Sequence, residues 1–299
     1  MPPAATALQG MLSHLAVRKI QWPNTVLKPS RYSEDQPEQA MSGGKLRIGM
    51  AQMLVEGAAV RENLRRAGAM IHAAAREGCQ VVVLPECLDI GWTHPAARQL
   101  AQPIPGSHSN FLAQAAADAG IHVVAGLTET DGTRIYNAAV LISPEGLLLL
   151  KHRKINELDI AWDLYAKGDS LRVAETDIGR IGVTICADNF PESLDMARAL
   201  ARMGAQALLS PCAWAVDADH DNENHPYGDL WKEAYSTLTR AHPLTVAGVS
   251  NVGWLSDGPW KGRKCIGCSM AYGPGARLLA QGPYGDAAEA LIVVETELV

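Results

Sequence analysis

Short apolar runs alternate with helix-like stretches from residue 45 to residue 299. Residues 46–50 and 81–84 are apolar runs with the length of a buried strand. Between them, apolar side chains recur at helical spacing until Gly78, at Val60, Leu64, Ala67, Ile71 and Ala74. Two strands joined through a helix form a β-α-β unit, and this connection restricts the chain to a layered α/β fold.

Strands outnumber helices in the rest of this pattern. Helices are expected at residues 111–119, 191–203 and 229–241. Further strands are expected at residues 121–127, 137–142, 147–150, 181–185, 207–209, 245–249, 269–272, 277–279 and 291–294. The surplus of strands predicts two sheets packed face to face, with the helices on the outside.

Length and charge exclude several classes of function. A chain of 299 residues can bury one large core, and a single compact domain is expected. Its 26 Lys and Arg against 32 Asp and Glu give a formal charge of -6, and no basic run marks a site for nucleic acid or anionic lipid. No apolar segment is long enough to span a bilayer, and the amino terminus lacks the layout of a secretory signal, so we expect a cytoplasmic protein.

Residues 1–44 differ in composition from the rest of the chain. They are rich in proline and polar residues, and their helical periodicity is weak. We interpret them as an amino-terminal extension and residues 45–299 as the folded domain. The extension can reflect an upstream start, since Met41 lies just before the first strand, or a segment that packs on a neighbouring subunit.

The six cysteines do not form the framework of a disulfide-stabilised fold. They are scattered through apolar segments of a large protein, at Cys79, Cys87, Cys186, Cys212, Cys265 and Cys268. The last two have the spacing of a metal or redox pair, but no second such pair accompanies them, and we interpret their spacing as a coincidence within a strand. The loop histidines His220 and His225 are likewise interpreted as hydrated side chains and not as metal ligands.

Cys186 stands where an apolar strand stops. The run at residues 181–185 precedes it, and Pro191 and Glu192 begin the predicted helix that follows. Side chains at the carboxyl ends of strands in an open α/β sheet face the crevice where ligands bind, and amides entering the next helix offer donors to an anion. A nucleophilic thiol suits this place, although a thiol that only fills the core is the alternative for this stretch alone.

A carboxylate and an ammonium group occupy similar positions. Glu86 follows the apolar run at residues 81–84, and Lys154 follows the run at 147–150. Each alone is equally well explained as a solvated loop charge. Together with Cys186 they can converge at one edge of a sheet, where the carboxylate takes the thiol proton. The ammonium then favours the thiolate and stabilises an oxyanion, together with the backbone N–H that follows the nucleophile.

These three segments resemble the motifs of the nitrilase superfamily of carbon–nitrogen hydrolases, which use a Glu-Lys-Cys triad. The matching segments are Leu84-Pro85-Glu86, His152-Arg153-Lys154-Ile155 and Ile185-Cys186-Ala187-Asp188. The resemblance extends from Leu46 to about Glu295. It implies a four-layer α-β-β-α sandwich, a triad of Glu86, Lys154 and Cys186, and a mechanism that needs no metal or organic cofactor.

The resemblance also implies further site residues. Members commonly carry a second glutamate between the lysine and a Gly-Asp pair like that at residues 168–169, and here Glu157, Asp159 and Asp163 are candidates. We favour Glu157 because it is the only glutamate in the segment and lies close to Lys154. The Ala187 N–H is expected in the oxyanion site, and three residues near the nucleophile are expected to contact substrate: Asp188, Asn189 and Trp214.

The expected reaction is hydrolysis of a small amide or N-carbamoyl compound through a Cys186 thioester, with release of ammonia. True nitrilases tend to have Trp-Glu after the cysteine, whereas this chain has Ala187-Asp188, so an amide is favoured over a nitrile. A nitrilase and a non-catalytic small-molecule-binding protein of the same fold remain the alternatives. A Cys-His enzyme such as a cysteine protease is disfavoured, because no histidine has an obvious strand-end position.

The substrate's charge and the assembly are less constrained. The loop at residues 214–230 is acidic and favours a substrate with a distant amine, whereas a cationic segment nearby in sequence, with Lys261, Arg263 and Lys264, favours an anionic one. The resemblance implies a homodimer or larger homo-oligomer formed across the helix after Cys186. Apolar residues of that helix available for contacts are Met196, Ala199, Leu200 and Met203.

Overall fold

A computed structural model describes residues 44–299, so the predicted extension lies outside the described residues apart from Gly44. The strands are β1 (Lys45–Gln52), β2 (Val81–Val83), β3 (His122–Asp131), β4 (Arg134–Ile142), β5 (Leu148–Arg153), β6 (Val173–Thr176), β7 (Gly179–Val183), β8 (Ala207–Cys212), β9 (Ala215–Val216), β10 (Thr245–Ser250), β11 (Val252–Trp254), β12 (Lys264–Ile266), β13 (Met270–Gly273), β14 (Arg277–Gln281) and β15 (Ala290–Glu297). The α-helices are α1 (Val60–Arg76), α2 (Ala97–Leu100), α3 (Ser107–Ala119), α4 (Leu194–Arg202) and α5 (Asp229–Ala241).

Two six-stranded sheets dominate the fold. The first has the order β15-β1-β2-β3-β4-β5 and the second the order β14-β13-β10-β8-β7-β6. Each has three parallel strands at its centre, β1-β2-β3 and β10-β8-β7, and antiparallel strands on both sides. Parallel central strands end at the same edge of a sheet, so residues that follow them are brought together.

The two sheets bury one core between them. Side chains such as Ile48 and Val83 from the first sheet share a cluster with Val183, Leu209 and Val246 from the second. Burying a side chain of this size stabilises the fold by roughly 1.5–3 kcal/mol before the loss of chain entropy is counted. Because side chains alternate between the two faces of a strand, burial of the apolar set determines which face of each sheet points inward.

Helices cover the two outer faces. Helices α1 and α3 contact the first sheet, and α4 and α5 contact the second. Helix α1 packs closely on the outer face of β1 at Gly49, where a Cβ would lie 3.0 Å from the Cβ of Ala74. The layer order is thus α-β-β-α, and the predicted four-layer sandwich is confirmed.

Several predicted boundaries are wrong. The predicted helix at residues 191–203 is a 3-10 turn, Pro191–Ser193, followed by α4. Cys265 lies in β12, but Cys268 lies beyond that strand. The small three-stranded sheet β11-β12-β9 and the edge strand β6 were not predicted, because strands of two to four residues are too short to show a period.

No helix among residues 44–299 is long and apolar enough to cross a membrane.

Candidate active site

Glu86 and Lys154 meet at the edge of the first sheet. Glu86 comes three residues after β2, and Lys154 directly follows β5. Lys154 Nζ donates to Glu86 Oε1 at 2.7 Å, and each residue is only 1% exposed. Burying two charges costs several kcal/mol per ion unless they are paired and hydrogen-bonded, so this contact is not an ordinary surface ion pair.

Asn137, within β4, is hydrogen-bonded to both partners of this ion pair. Its Nδ2 donates to Glu86 Oε1 at 2.7 Å, and its carbonyl oxygen accepts from the Lys154 N–H at 2.8 Å. The side chain is fully buried. Asn137 was not predicted as a site residue, although a polar residue directly before the apolar run at 138–142 was an available signal.

A glycine on β3 allows the backbone of Glu86 to approach closely. The Gly126 N–H donates to the Pro85 carbonyl at 3.0 Å, and the Leu88 N–H donates to the Gly126 carbonyl at 2.9 Å. A Cβ at Gly126 would lie 2.5 Å from the Cα of Glu86, a distance that real Cβ atoms do not reach. Gly126 therefore determines how deeply Glu86 sits in the site.

The electrostatic environment keeps Lys154 charged. Burial opposes its charge, but the carboxylates of Glu86 and Glu157 and the nearby Cys186 outweigh burial and raise the pKa of Lys154 well above its usual value. The ammonium group also lies 5.9 Å from the ring centroid of Trp92. A cation is therefore fixed in a water-poor site, where its field is strong.

Glu157 is the second carboxylate near this cation. Its Oε2 lies 3.7 Å from Lys154 Nζ, and neither of its oxygens has a hydrogen-bond partner among the described residues. Burial raises the pKa of Glu157 to about 8, although Lys154 pulls it down. The rival candidates, Asp159 and Asp163, are exposed. The geometry thus favours Glu157 among the three.

Cys186 begins a short 3-10 helix, Cys186–Asn189, just after β7. Its φ of 44° is a left-handed conformation that a non-glycine residue rarely adopts, and such strain is found at functional sites. The Cys186 N–H donates to Ser210 Oγ on β8 at 3.2 Å. The neighbouring Cys212 thiol and burial raise the pKa of Cys186 well above its usual value. The resting thiol is therefore protonated and requires a proton acceptor to become a nucleophile.

Ala187 follows the thiol in the first turn of the same helix. Backbone amides in a first turn have no acceptor within the helix. The role of the Ala187 N–H in an oxyanion site next to Cys186 stays a prediction.

Asp188 does not match the prediction that it contacts substrate. Its Oδ1 accepts from the N–H groups of Ile155 and Asn156 at 3.1 and 2.8 Å. Its Oδ2 accepts from the Ile185 N–H at 3.0 Å and from His152 Nε2 at 2.8 Å. Since protein donors occupy both oxygens and the residue is buried, it offers no acceptor to a ligand.

Asn189 also faces the protein interior. Its Nδ2 donates to Thr184 Oγ1 at 2.9 Å and to Ser210 Oγ at 3.0 Å, whereas its Oδ1 has no hydrogen-bond partner among the described residues, so its contact with substrate stays a prediction. Trp214 is buried and stacks on Trp231 with ring centroids 4.7 Å apart. Its indole Nε1 has no hydrogen-bond partner among the described residues.

The acidic loop and the cationic segment are adjacent in the structure. Strand β9, at the start of the loop, pairs with β12, and Arg263 Nε lies 2.8 Å from Asp217 Oδ1. These charges partly compensate each other, so neither segment alone indicates whether the substrate is cationic or anionic. Within residues 44–299 no group of three or more His, Cys, Asp or Glu side chains is arranged to hold a metal ion.

Comparison with known proteins gives one family. The family model for carbon-nitrogen hydrolase matches residues 47–298. The chain is 35% identical over 181 residues to omega-amidase NIT2 of Xenopus tropicalis, covering 57% of this chain and 64% of that protein, so it spans slightly less than two thirds of that relative's length. It is 32% identical over 243 residues to a nitrilase of Pyrococcus abyssi, covering 79% and 84%.

Solved structures share the fold at lower identity. An amidase from Nesterenkonia sp. superposes with a TM-score of 0.70 at 23% identity, covering 84% of this chain and 90% of that one. A carbon-nitrogen hydrolase from Helicobacter pylori G27 superposes with a TM-score of 0.75 at 20% identity, covering 84% and 89%.

Proposed function

We propose, on the premise that this chain belongs to the carbon–nitrogen hydrolase family of the nitrilase superfamily, that it hydrolyses a small amide or N-carbamoyl compound and releases ammonia. The buried contact between Lys154 and Glu86, at 2.7 Å, is the observation that most supports this function. Replacing a buried ion pair by well-packed apolar residues is often neutral or stabilising, so such a pair is not explained by stability. Buried ionisable groups of this kind cluster at functional sites.

The first half of the reaction transfers the acyl group to the enzyme. Glu86 accepts the proton of the Cys186 thiol, and the sulfur forms a bond to the substrate carbonyl carbon while the carbonyl electrons move to oxygen. Lys154 and the Ala187 N–H stabilise that oxyanion. When the intermediate collapses, the C–N bond breaks, Glu86 returns its proton to the nitrogen, and ammonia leaves a thioester on Cys186.

The second half releases the acid. Glu86, again ionised, takes a proton from a water molecule that attacks the thioester carbonyl at the same oxyanion site. The C–S bond then breaks, and the sulfur recovers the proton from Glu86. Glu86 thus carries every proton that is transferred in the reaction. The hydrogen bonds from Lys154 and Asn137 hold its carboxylate in place for these transfers.

Glu157 is the uncharged acid of the site in this proposal. Lys154 contacts Glu86 more closely than Glu157, at 2.7 against 3.7 Å, so Glu86 is the carboxylate that forms the hydrogen-bonded ion pair with the cation. With a pKa of about 8, Glu157 holds its proton at neutral pH. A neutral Glu157 leaves the Lys154 charge available to the developing oxyanion.

A nitrile is the second candidate substrate. One observation favours it: the nitrilase of Pyrococcus abyssi matches a larger share of this chain than the omega-amidase of Xenopus tropicalis does, 79% against 57%. The amide remains the preferred candidate because Ala187-Asp188 replaces the Trp-Glu of true nitrilases. The charge of the substrate's distal group stays open between an amine and a carboxylate, since Asp217 and Arg263 pair with each other.

Ammonia release over a substrate panel tests the proposal. The panel contains ω-amino amides, amides bearing a distal carboxylate, carbamoyl amines, carbamoyl amino acids and aliphatic nitriles, each with wild type and Cys186→Ala. We expect release from at least one amide or carbamoyl compound by the wild type alone. Faster release from nitriles than from every amide would replace the preferred substrate by the second, and equal release by Cys186→Ala would contradict the nucleophile.

We also propose a homo-oligomer formed across α4 and a cytoplasmic location. On α4, Leu200 packs into the core and is not available for contacts, whereas Met196 and Ala199 are half-buried and the adjoining Met203 is 50% exposed. A reducing compartment suits the thiol chemistry, and all six cysteines are free.

A further inference from the structure

The carboxylate of Asp188 connects the segment that contains Lys154 to the segment that contains Cys186. We propose that Asp188 is a positioning residue, which fixes the ammonium group of Lys154 relative to the thiol of Cys186 without touching the substrate. The inference rests on the proposed function, because it concerns the placement of the two groups that the proposed reaction uses.

Four donors from two segments converge on this one carboxylate. On the Lys154 side they are His152 Nε2 and the N–H groups of Ile155 and Asn156, which bracket the lysine. On the Cys186 side the donor is the Ile185 N–H, at 3.0 Å, from the residue before the thiol. Because the donors surround Lys154 in the chain, displacing the carboxylate displaces the lysine's backbone.

A second, independent link joins the same two segments. Asn156 Nδ2 donates to the Ala187 carbonyl at 2.7 Å and to Ser193 Oγ at 2.6 Å. The Ile185 N–H precedes Cys186 and the Ala187 carbonyl follows it. The two links therefore flank the peptide group whose N–H is the proposed oxyanion donor. This link leaves the segments associated when the Asp188 link is weakened, so a variant at Asp188 is expected to shift the geometry and to keep the fold.

Only an ionised carboxylate satisfies the four donors. Burial alone would raise the pKa of Asp188, but the hydrogen bonds from His152 and from the Asn156 backbone lower it. An ionised carboxylate only accepts, so His152 must carry its proton on Nε2. Asparagine has nearly the same shape, but its NH₂ group would face either the Ile185 N–H or the two amides after Lys154, placing donor against donor.

The test compares Asp188→Asn with Asp195→Asn in steady-state assays on the best amide of the panel. Asp195 serves as the matched control because it is in α4, its side chain is 91% exposed, and Arg198 is its only side-chain partner within residues 44–299. For Asp188→Asn we expect kcat to fall about 10²-fold, the loss typical of reacting groups displaced by about 1 Å, while KM changes less than about threefold. Asp195→Asn should match the wild type.

Thiol alkylation distinguishes repositioning from unfolding and needs no turnover. Each variant is treated with iodoacetamide at neutral pH, and modification is mapped over the six cysteines. If Asp188→Asn only moves Lys154 relative to Cys186, alkylation of Cys186 should slow, because its thiolate loses the neighbouring ammonium group. The five other thiols should stay protected. Exposure of all six thiols in Asp188→Asn would show a role in global stability and would overturn the positioning role.

Rescue at His152 completes the test. His152→Gln keeps an N–H donor within reach of Asp188 Oδ2, whereas His152→Phe keeps the ring shape and loses the donor. We expect kcat close to wild type for the first and a reduced kcat for the second. Normal kcat in both Asp188→Asn and His152→Phe, with Cys186→Ala inactive, would overturn the positioning role and leave the proposed function standing. A wild type inactive on the whole panel would instead refute the proposed function.

Discussion

At the residue scale, the site is an arrangement of one cation between two unequal carboxylates. Lys154 is hydrogen-bonded to Glu86, and Glu157 stands farther away with no hydrogen-bond partner among the described residues. Burial raises the pKa of Glu157 to about 8, so this acid keeps its proton at neutral pH. The site therefore gains a negative charge at Glu157 when the pH rises through about 8.

The pH dependence of activity should reveal this acid. Because the pKa of Glu157 is raised to about 8, the group is neutral below that pH and gains a negative charge above it. That charge opposes formation of the oxyanion, so kcat/KM of the wild type should fall with an apparent pKa near 8. Glu157→Gln imitates the protonated acid and should lack this alkaline limb.

The measurement is kcat/KM from pH 6 to pH 10 for both proteins, which reports groups of the free enzyme. Glu86→Gln provides the contrast, since loss of the proposed base should abolish activity at every pH. An identical alkaline limb in wild type and Glu157→Gln would assign the titration to another group.

At the element scale, strand ends determine what the sequence can predict. Glu86 and Lys154 follow apolar strands that are legible in the sequence, and the structure brings these two residues together. The roles of Asn137 and Asp188 were not legible, because they depend on hydrogen bonds between distant residues, such as Asn137 with Glu86, 51 residues apart, and Asp188 with Ile155, 33 residues apart. Strand β9 was missed because two residues show no period. Local pattern thus predicts elements and layers, whereas the contacts that support the site depend on the register between strands.

Close packing of β3 against the segment after β2 gives an element-scale prediction. Gly126→Ala places a methyl group 2.5 Å from the Cα of Glu86, so the segment must move. We expect a loss of about 1–3 kcal/mol in the free energy of unfolding, the usual cost of overpacking. We also expect a fall in kcat of about 10²-fold from displacement of Glu86.

Urea unfolding and steady-state assays check this prediction. Gly44→Ala is the control, since a Cβ there has nothing within 4 Å. Equal activity and stability in the two alanine variants would show that β3 can move away without disturbing Glu86.

At the scale of the whole molecule, the four layers leave α4 on the outer face of the second sheet. Its core-facing residues, such as Ala197 and Leu200, are fully buried, while Met203 just after it is half exposed. We expect a second copy of the chain to contact the first at this exposed apolar side chain, just after the end of α4.

Light scattering should therefore return a mass at least twice the 32.0 kDa of the chain. Met203→Glu, which places a charge in the proposed contact, should shift the mass toward one chain. Leu147→Glu is the control, because Leu147 is similarly exposed, at 45%, but lies in the turn before β5 on the first sheet. A wild-type mass of a single chain at micromolar concentration would contradict the assembly.

Every proposed role in the site concerns an acyl group on Cys186, so detection of that thioester tests the mechanism most directly. Wild-type enzyme is mixed with the preferred amide, quenched in acid during turnover and digested. The mass of the peptide containing Cys186 is then measured by mass spectrometry. We predict an added mass equal to the substrate's acyl group on that peptide alone, lost on treatment with hydroxylamine and absent from Cys186→Ala. Turnover of the amide with the Cys186 peptide unmodified, and with ammonia still released by Cys186→Ala, would contradict the mechanism.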